Sequence, residues 1–466
     1  MAKGKKKEVL TLEERLQAAL VPESEQPYQV PGNWCWTRIE YINQYNSCSM
    51  DPAKQSDEMF ELYSVPSSAG NYPEILSGDE IGSIKQSVQK GDVLLCKINP
   101  RINRVWQVSK YTNNTLLASS EWIVVRNKYL NSEYLMRCFQ SNYFREFMLS
   151  NVSGVGGSLM RAQPKYVQGY PVPIPPLSEQ QRIVECIESL FAKLDEARQK
   201  VQDVLDSFET RKAAILHKAF SGELLAGGCN VHGGRMEEWR TVSWGTFITL
   251  IEAGRNWNAE GRPPKNDEFG VVKVSAVTWG EFNELESKTC TCEKQWNENV
   301  QIHTGDFLFS RANTLQLVGN CVIVKDISKR LMLSDKILRF TFDNSVVPGY
   351  ILNFTRSDLY RKQIEQLASG NQDGMRNVSQ KNMKLVEFPI PELNEQTEIV
   401  RFLDSFFAKE QQAKEASVKV LEQIDLIKKS ILARAFRGEL GTNDPAEESA
   451  LELIKQTLLE TIANND

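Results

Sequence analysis

Apolar residues between positions 183 and 215 recur in alternating steps of four and three: Ile183, Ile187, Leu190, Leu194, Ala197, Val201, Val204 and Phe208, with Ile215 rejoining after Arg211. This spacing predicts one long helix with a coiled-coil seam of about four heptads. A second stretch carries a poorer version: Ile399, Leu403, Phe406, Ala413, Val420, Ile424, Ile427 and Ile431, interrupted at Glu410 and Ser417. Each stretch is entered through a proline-rich segment, PVPIPP or FPIPE, which must be extended. Ser178 is placed to cap the first helix, with Gln181 completing a capping box. Asn394 takes the cap position of the second. Gly222 and Gly438 stand where a left-handed residue would end each helix.

The two stretches are copies. At an offset of 216 residues, Pro173–Leu224 aligns with Pro389–Leu440 without a gap, and 23 of the 52 pairs are identical. The repeat extends outward in weaker form. GDVLLCKIN (91–99) matches GDFLFSRAN (305–313), a Gly-Asp turn before an apolar strand. EYLMRCFQSNYFR (133–145) matches GYILNFTRSDLYR (349–361), a short amphipathic helix. Each half opens with a tryptophan-bearing strand, NWCWTRI or EEWRTVSWG.

The chain therefore divides into an N-terminal helix and lead-in (1–30), a first domain (31–172), a long helix (173–225) and a Gly-rich linker (226–234). A second domain (235–388), a second long helix (389–441) and an acidic C-terminal helix (442–466) follow. The fold class is α+β: two mixed α/β domains joined by two long helices that pack on each other, in an internal repeat. The helices would be rods of roughly 65 Å.

Charge adds little until it is mapped. The net charge is −5, but residues 31–170 carry 14 basic against 12 acidic side chains and 235–388 carry 20 against 19. The excess acid lies in 389–466, with 9 against 15. Near-neutral domains permit a basic face without requiring one. The start, MAKGKKKEV, has no apolar run behind it and fits a cytoplasmic protein without a membrane span. Nine cysteines without a CxxC pair read as reduced thiols. Cys290 and Cys292 with His303 are too few ligands for a metal site.

No catalytic constellation is legible. GxxxxGK[ST] is absent, SGVGGS (153–158) lacks the lysine of a phosphate loop, and no Asn/Asp-Pro-Pro-aromatic methyltransferase motif occurs. The three histidines suggest no triad. What remains is recognition. Loops such as KINPRINRVW (97–106) and RNWNAEGRPPKN (255–266) interleave cations, amides and aromatics, the side chains that hold phosphates and read base edges.

PIPPLSEQQRIVECIESLFAKLDEA…ILHKAFSGEL and PIPELNEQTEIVRFLDSFFAKEQQA…ILARAFRGEL resemble the two conserved regions of type I restriction–modification DNA specificity (S) subunits, over nearly the whole chain. The resemblance implies that the two domains are target-recognition domains, each reading half of a bipartite target in double-stranded DNA. It implies that the helices form an antiparallel coiled coil in a pseudo-twofold layout, set the spacing and dock two methyltransferase (M) subunits, which restriction/translocase (R) subunits join. The circular layout of the family also implies that the C-terminal helix packs on the N-terminal one. It places no catalysis and no cofactor in this chain, with S-adenosylmethionine bound by the methyltransferase. No base-reading residue carries over by motif. The DNA-contact candidates are Lys97, Asn99, Arg101 and Arg104 with Arg161 and Lys165 in the first domain, and Arg311, Asn313 and Gln316 with Arg376 and Lys381 in the second. Two other readings stay open: the specificity chain of a system whose methyltransferase and nuclease are fused, and a coiled-coil scaffold that binds no DNA.

Overall fold

The structure is a computed structural model that describes residues 11–153, 160–226, 239–265, 267–372 and 375–463. The glycine-rich loop 153–158 and the linker 226–234 therefore lie almost wholly outside the described residues. The chain forms two compact units, Met1–Val201 with Lys419–Asp466, and Gln202–Val418. Both long helices, Leu177–Phe220 and Leu393–Ala435, contribute one end to each unit.

In the first unit, the Gly-Asp strand Val93–Cys96 is the middle of a three-stranded antiparallel sheet, between Val105–Gln107 and Trp122–Val125. All four of its residues are buried because the sheet is covered on both faces. Val93 and Leu95 point into a core with Trp34, Tyr134, Phe139, Ile183 and Ile187. Leu94 and Cys96 point into another with Tyr63, Trp106 and Trp122. A five-stranded sheet lies beyond, in which Met59–Tyr63 runs parallel to Thr115–Ala118.

The second unit repeats the plan. Phe307–Ser310 lies between Cys321–Ile323 and Ile337–Phe342, extended by Ile248–Ala253. Phe307 and Phe309 enter one core and Leu308 another. A separate four-stranded sheet again contains one parallel pair, Phe269–Val272 with Arg330–Met332. Each unit also pairs its opening strand with the proline-rich lead-in: Cys35–Arg38 with Pro171–Ile174, and Arg240–Ser243 with Glu387–Ile390.

The same polar joints fasten each domain to its helix. Buried Gln180 accepts from the Asn131 N–H at 2.8 Å and donates to the Pro175 carbonyl at 2.9 Å. Buried Gln396 accepts from Val347 N–H at 2.8 Å and donates to Pro391 at 3.0 Å. The Tyr134 hydroxyl donates to the Pro173 carbonyl and the Tyr350 hydroxyl to Pro389, both at 2.8 Å. Against Tyr134 packs Phe436, from the end of the second helix. Against Tyr350 packs Phe220, from the end of the first. Each domain thus seats on the start of one long helix and the end of the other.

The helix entrances lie two residues earlier than expected. The helices begin at Leu177 and Leu393, because the Pro176 and Glu392 carbonyls already accept from Gln180 and Gln396 N–H at 3.0 Å. Ser178 is therefore inside the helix and donates to Glu447 at 2.7 Å, while Gln181 accepts from Asn131 Nδ2. Gly222 and Gly438 are left-handed, at φ 77° and 72°. The seam departs from strict heptads. Val204, Val420 and Ile427 are exposed, while Leu216 and Leu432 are buried in the two domain cores. A helix of 3.6 residues per turn drifts off a 3.5-residue seam, and the domains cover faces that a bare helix pair would leave open.

Beyond Gly438 the chain folds back on its own unit. Glu179, fully buried, accepts from Trp34 Nε1 at 2.7 Å and Asn443 Nδ2 at 2.8 Å. Arg182 forks onto Glu447 with two 2.8 Å bonds. The terminal helix, Leu451–Ala463, packs Ile454 and Leu458 in one core with Leu16 and Ala19 of the Leu12–Ala19 helix.

Candidate nucleic-acid interface

Each Gly-Asp strand is launched from the same turn. Gly91 and Gly305 adopt φ 92° and 93°, a conformation that favours glycine. The Asp92 carboxylate accepts from Gln89 N–H at 2.9 Å and from Arg126 at 2.6 and 2.7 Å. Asp306 accepts from His303 N–H at 2.9 Å and from Arg339 at 3.0 Å. The carboxylate raises the Arg126 guanidinium through that bond. These bonds fix the start of each strand, and the candidate loops leave from its other end, after Cys96 and Ser310.

The two candidate clusters share one backbone arrangement. Ala162 N–H donates to the Lys97 carbonyl at 2.9 Å, and Asn99 N–H to the Met160 carbonyl at 2.8 Å. In the second unit Val378 N–H donates to the Arg311 carbonyl at 2.9 Å, and Asn313 pairs with Arg376. Lys97, Asn99 and Arg161 are therefore neighbours, as are Arg311, Asn313 and Arg376. Lys165 and Lys381 follow on short helices, Pro164–Val167 and Gln380–Met383, and both are exposed. The Lys165 ammonium lies 4.6 Å from the Tyr166 ring centroid.

Several candidates have work inside the fold. Asn99 and Asn103 are left-handed, at φ 47° and 52°, and the Asn103 amide closes the end of the Ser132–Gln140 helix on the Phe139 and Gln140 carbonyls. Arg161 pairs with Glu121 at 3.1 Å. Arg376 donates to the Gly370 carbonyl at 2.6 Å, and Asn313 donates to Thr278 Oγ1 at 3.3 Å. Arg101 and Gln316 are exposed on their loops, and Arg104 is half-buried in the hairpin. In RNWNAEGRPPKN one of the three cations is neutralised: Arg262 forks onto Glu268 with two 2.7 Å bonds and reaches Glu260 at 3.1 Å. The Arg262 bond, followed by the Lys265 N–H, holds the Glu268 carboxyl down at about 2.

Sequence reading missed the exposed aromatics. Tyr72 and Tyr111 lie 4.8 Å apart on the surface of the first unit. The Tyr111 loop is tied down by Glu61, a buried carboxylate that accepts from Thr112 N–H and Oγ1 at 2.9 Å and from Tyr63 Oη at 2.8 Å. Trp279 in the second unit is 76% exposed. Neither is signalled by periodicity, because each sits in a turn.

Burial pushes the Cys35 and Cys321 thiols up to about 12 and raises Cys96 and Cys290, so these are protonated thiols and not nucleophiles. Among the described residues no group of three His, Cys, Asp or Glu side chains could hold a metal ion. No described helix is long and apolar enough to cross a membrane.

Known proteins carry the same architecture. The family model described as "Type I restriction modification DNA specificity domain" matches residues 33–205 and 236–423. The specificity subunit of type I restriction enzyme EcoKI of Escherichia coli is 26% identical over 337 residues, covering 70% of this chain and 69% of its own. A chain from a structure concerned with complex assembly and conformational transition of a type I R-M system superposes with a TM-score of 0.67 at 20% identity, covering 89% of this chain and all of its own. The HsdS subunit from Thermoanaerobacter tengcongensis gives 0.60 at 20% identity, covering 90% of this chain and all of its own. With a mount repeated bond for bond in two halves and a family domain on each, the chain belongs to the type I restriction–modification DNA specificity family.

Proposed function

We propose that the chain is the non-catalytic, DNA-reading subunit of a cytoplasmic type I restriction–modification complex. Each domain reads one half of a bipartite target in double-stranded DNA. The long helices run antiparallel as a coiled coil within a pseudo-twofold repeat, set the distance between half-sites and dock two methyltransferase subunits. Methylation, with S-adenosylmethionine, belongs to those partners, and translocation and cleavage to the restriction subunits that join them. Ion pairs between the helices support the antiparallel reading: Asp195 meets Lys428 at 2.5 Å and Arg198 meets Asp425 in one unit, and Arg211 meets Glu410 at 3.0 Å in the other.

One observation carries this reading. The joints made by Gln180 and Gln396, and by Tyr134 and Tyr350, are the same, while the loops the two domains present are different. Identical mounts suit two copies of one partner, and different faces suit two unlike half-sites. Lys97, Asn99, Arg101, Arg104, Arg161 and Lys165 are the proposed contacts to one half-site, and Arg311, Asn313, Gln316, Arg376 and Lys381 to the other. Phosphate contacts fix register and base-edge contacts select sequence. The test is to map methylated adenines with the chain and its cognate methyltransferase. Two short blocks separated by unspecified base pairs are expected. One contiguous block would overturn the reading.

A further inference from the structure

Trp279 stands at the tip of a turn that cannot easily move. The Thr278 carbonyl before it accepts from Asn320 Nδ2 at 2.7 Å, and the Gly280 carbonyl after it accepts from Arg356 at 3.1 Å. Thr278 Oγ1 donates to Val274 at 2.9 Å and accepts from Asn313, one of the candidate contacts. Gly280 takes φ 85°. An indole this exposed gains nothing from folding, yet its backbone is pinned from both sides. Such preorganisation lowers the entropy lost when a ligand is bound.

Two clefts, of about 270 and 390 Å³, share Lys212, Trp279, Gly280 and Arg356 on their walls. The smaller also carries Glu209, Glu281 and Glu410 with Lys414, so its charges balance. Gln316, Asn320 and Arg361 line the larger, where Asp358 is the one acidic wall residue, and this larger cleft is the cationic one. Arg356 donates to the Asn353 amide oxygen at 3.3 Å and to Gly280. Arg361 donates to the Val318 carbonyl at 2.8 Å and the Asn320 amide oxygen at 2.7 Å. Among the described residues neither guanidinium has a carboxylate at ion-pair distance. Desolvation pulls Arg356 below the usual guanidinium range, and the charges of Asp404 and of Glu281, which lines the smaller cleft, oppose it without coming to ion-pair distance. Lys212 reaches Glu209 only at 3.9 Å, on the helix surface. A desolvated cation without a partner charge favours an incoming anion.

We infer that this cleft takes one backbone phosphate of DNA between Arg356 and Lys212, with the Trp279 indole laid against the adjoining sugar or base. The inference rests on the DNA reading above and adds to it a contact on the helix side of the second domain. A phosphodiester supplies the counter-charge that Arg356 lacks and that Lys212 meets only at 3.9 Å on Glu209, and an aromatic face packs on a sugar or base without regard to sequence. Gln316 brings an amide to the same wall.

The test uses the full-length chain assembled with its methyltransferase partner and a fluorescent duplex carrying the mapped target, titrated between about 50 and 200 mM salt. Trp279→Ala should weaken binding by about 5- to 100-fold without changing the melting curve. Lys212→Gln should weaken target and unrelated duplexes alike and lower the salt slope by about one. A duplex with one methylphosphonate at the contacted phosphate should bind the parent more weakly, and Arg356→Gln should abolish that difference. Variants that keep the parent's affinity and slope would overturn the inference. So would variants that bind DNA normally and fail to assemble with the methyltransferase, since the cleft would then hold protein. A parent complex without salt-sensitive DNA binding would overturn the DNA reading itself, a different result from variant-specific silence.

Discussion

Replacing Gln180 by Met tests whether the repeated joint is what seats a recognition domain on its helix. Met fills nearly the same volume but can neither accept from the Asn131 N–H nor donate to the Pro175 carbonyl, now bonded at 2.8 and 2.9 Å. Gln180 is fully buried, so water cannot readily replace the amide. Two unsatisfied backbone groups cost about 1–3 kcal/mol each, which places the loss for the first unit at roughly 2–6 kcal/mol. For a unit of this size that lowers its melting temperature by on the order of 10 °C. Exposed Ser189 on the same helix is the control, and its change to Ala should stay within about 0.5 kcal/mol. Hydrogen exchange followed by mass spectrometry localises the effect. Gln180→Met should speed exchange in the peptide spanning Asn131 and the start of the Ser132–Gln140 helix, and leave the peptide around Val347 unchanged. Gln396→Met should do the reverse. If Gln180→Met left exchange at Asn131 as it was, or loosened both peptides equally, the idea of two independent, equivalent joints would fail.

Three further outcomes follow from the packing. Gly438→Ala should destabilise by more than about 2 kcal/mol in thermal melts, because a Cβ there would sit 2.4 Å from the Pro31 ring and φ is 72°. Gly441→Ala, at φ 74° with open space around it, should lose only the conformational part, about 1 kcal/mol. Asp92→Ala should cost about 3–5 kcal/mol, since it strands the Arg126 guanidinium and the Gln89 N–H. Stability of the first unit should fall as pH rises from about 5 to 8. Hydrogen bonding to Glu188, with burial, raises the Glu133 carboxyl to about 7, so its contribution is present below the unfolded value and lost as it ionises; Glu133→Gln should flatten that slope in urea melts across the same range.

The local grammar of this protein is readable without coordinates. Steps of four and three announce the two helices, Gly222 and Gly438 mark their ends, and Gly-Asp before an apolar run marks each central strand. The 216-residue offset pairs the halves. These features lie within a few residues of one another, so periodicity and turn chemistry report them directly. Partnership across the chain is a different matter. Nothing near Ser178 says that its hydroxyl meets Glu447, or near Glu179 that it takes a bond from Trp34. Nor does composition separate Arg262, neutralised by Glu268, from Arg356, which has no such partner. The exchange of helix ends, with Phe220 against Tyr350 and Phe436 against Tyr134, depends on contacts between residues more than a hundred positions apart. Sequence by itself determined the elements, their duplication and the candidate loops, because those follow from short-range sterics and amphipathic spacing. Tertiary structure alone decided which charges are cancelled, which apolar seam residues are covered and which indole is left in solvent, because burial is a property of what arrives from elsewhere in the chain.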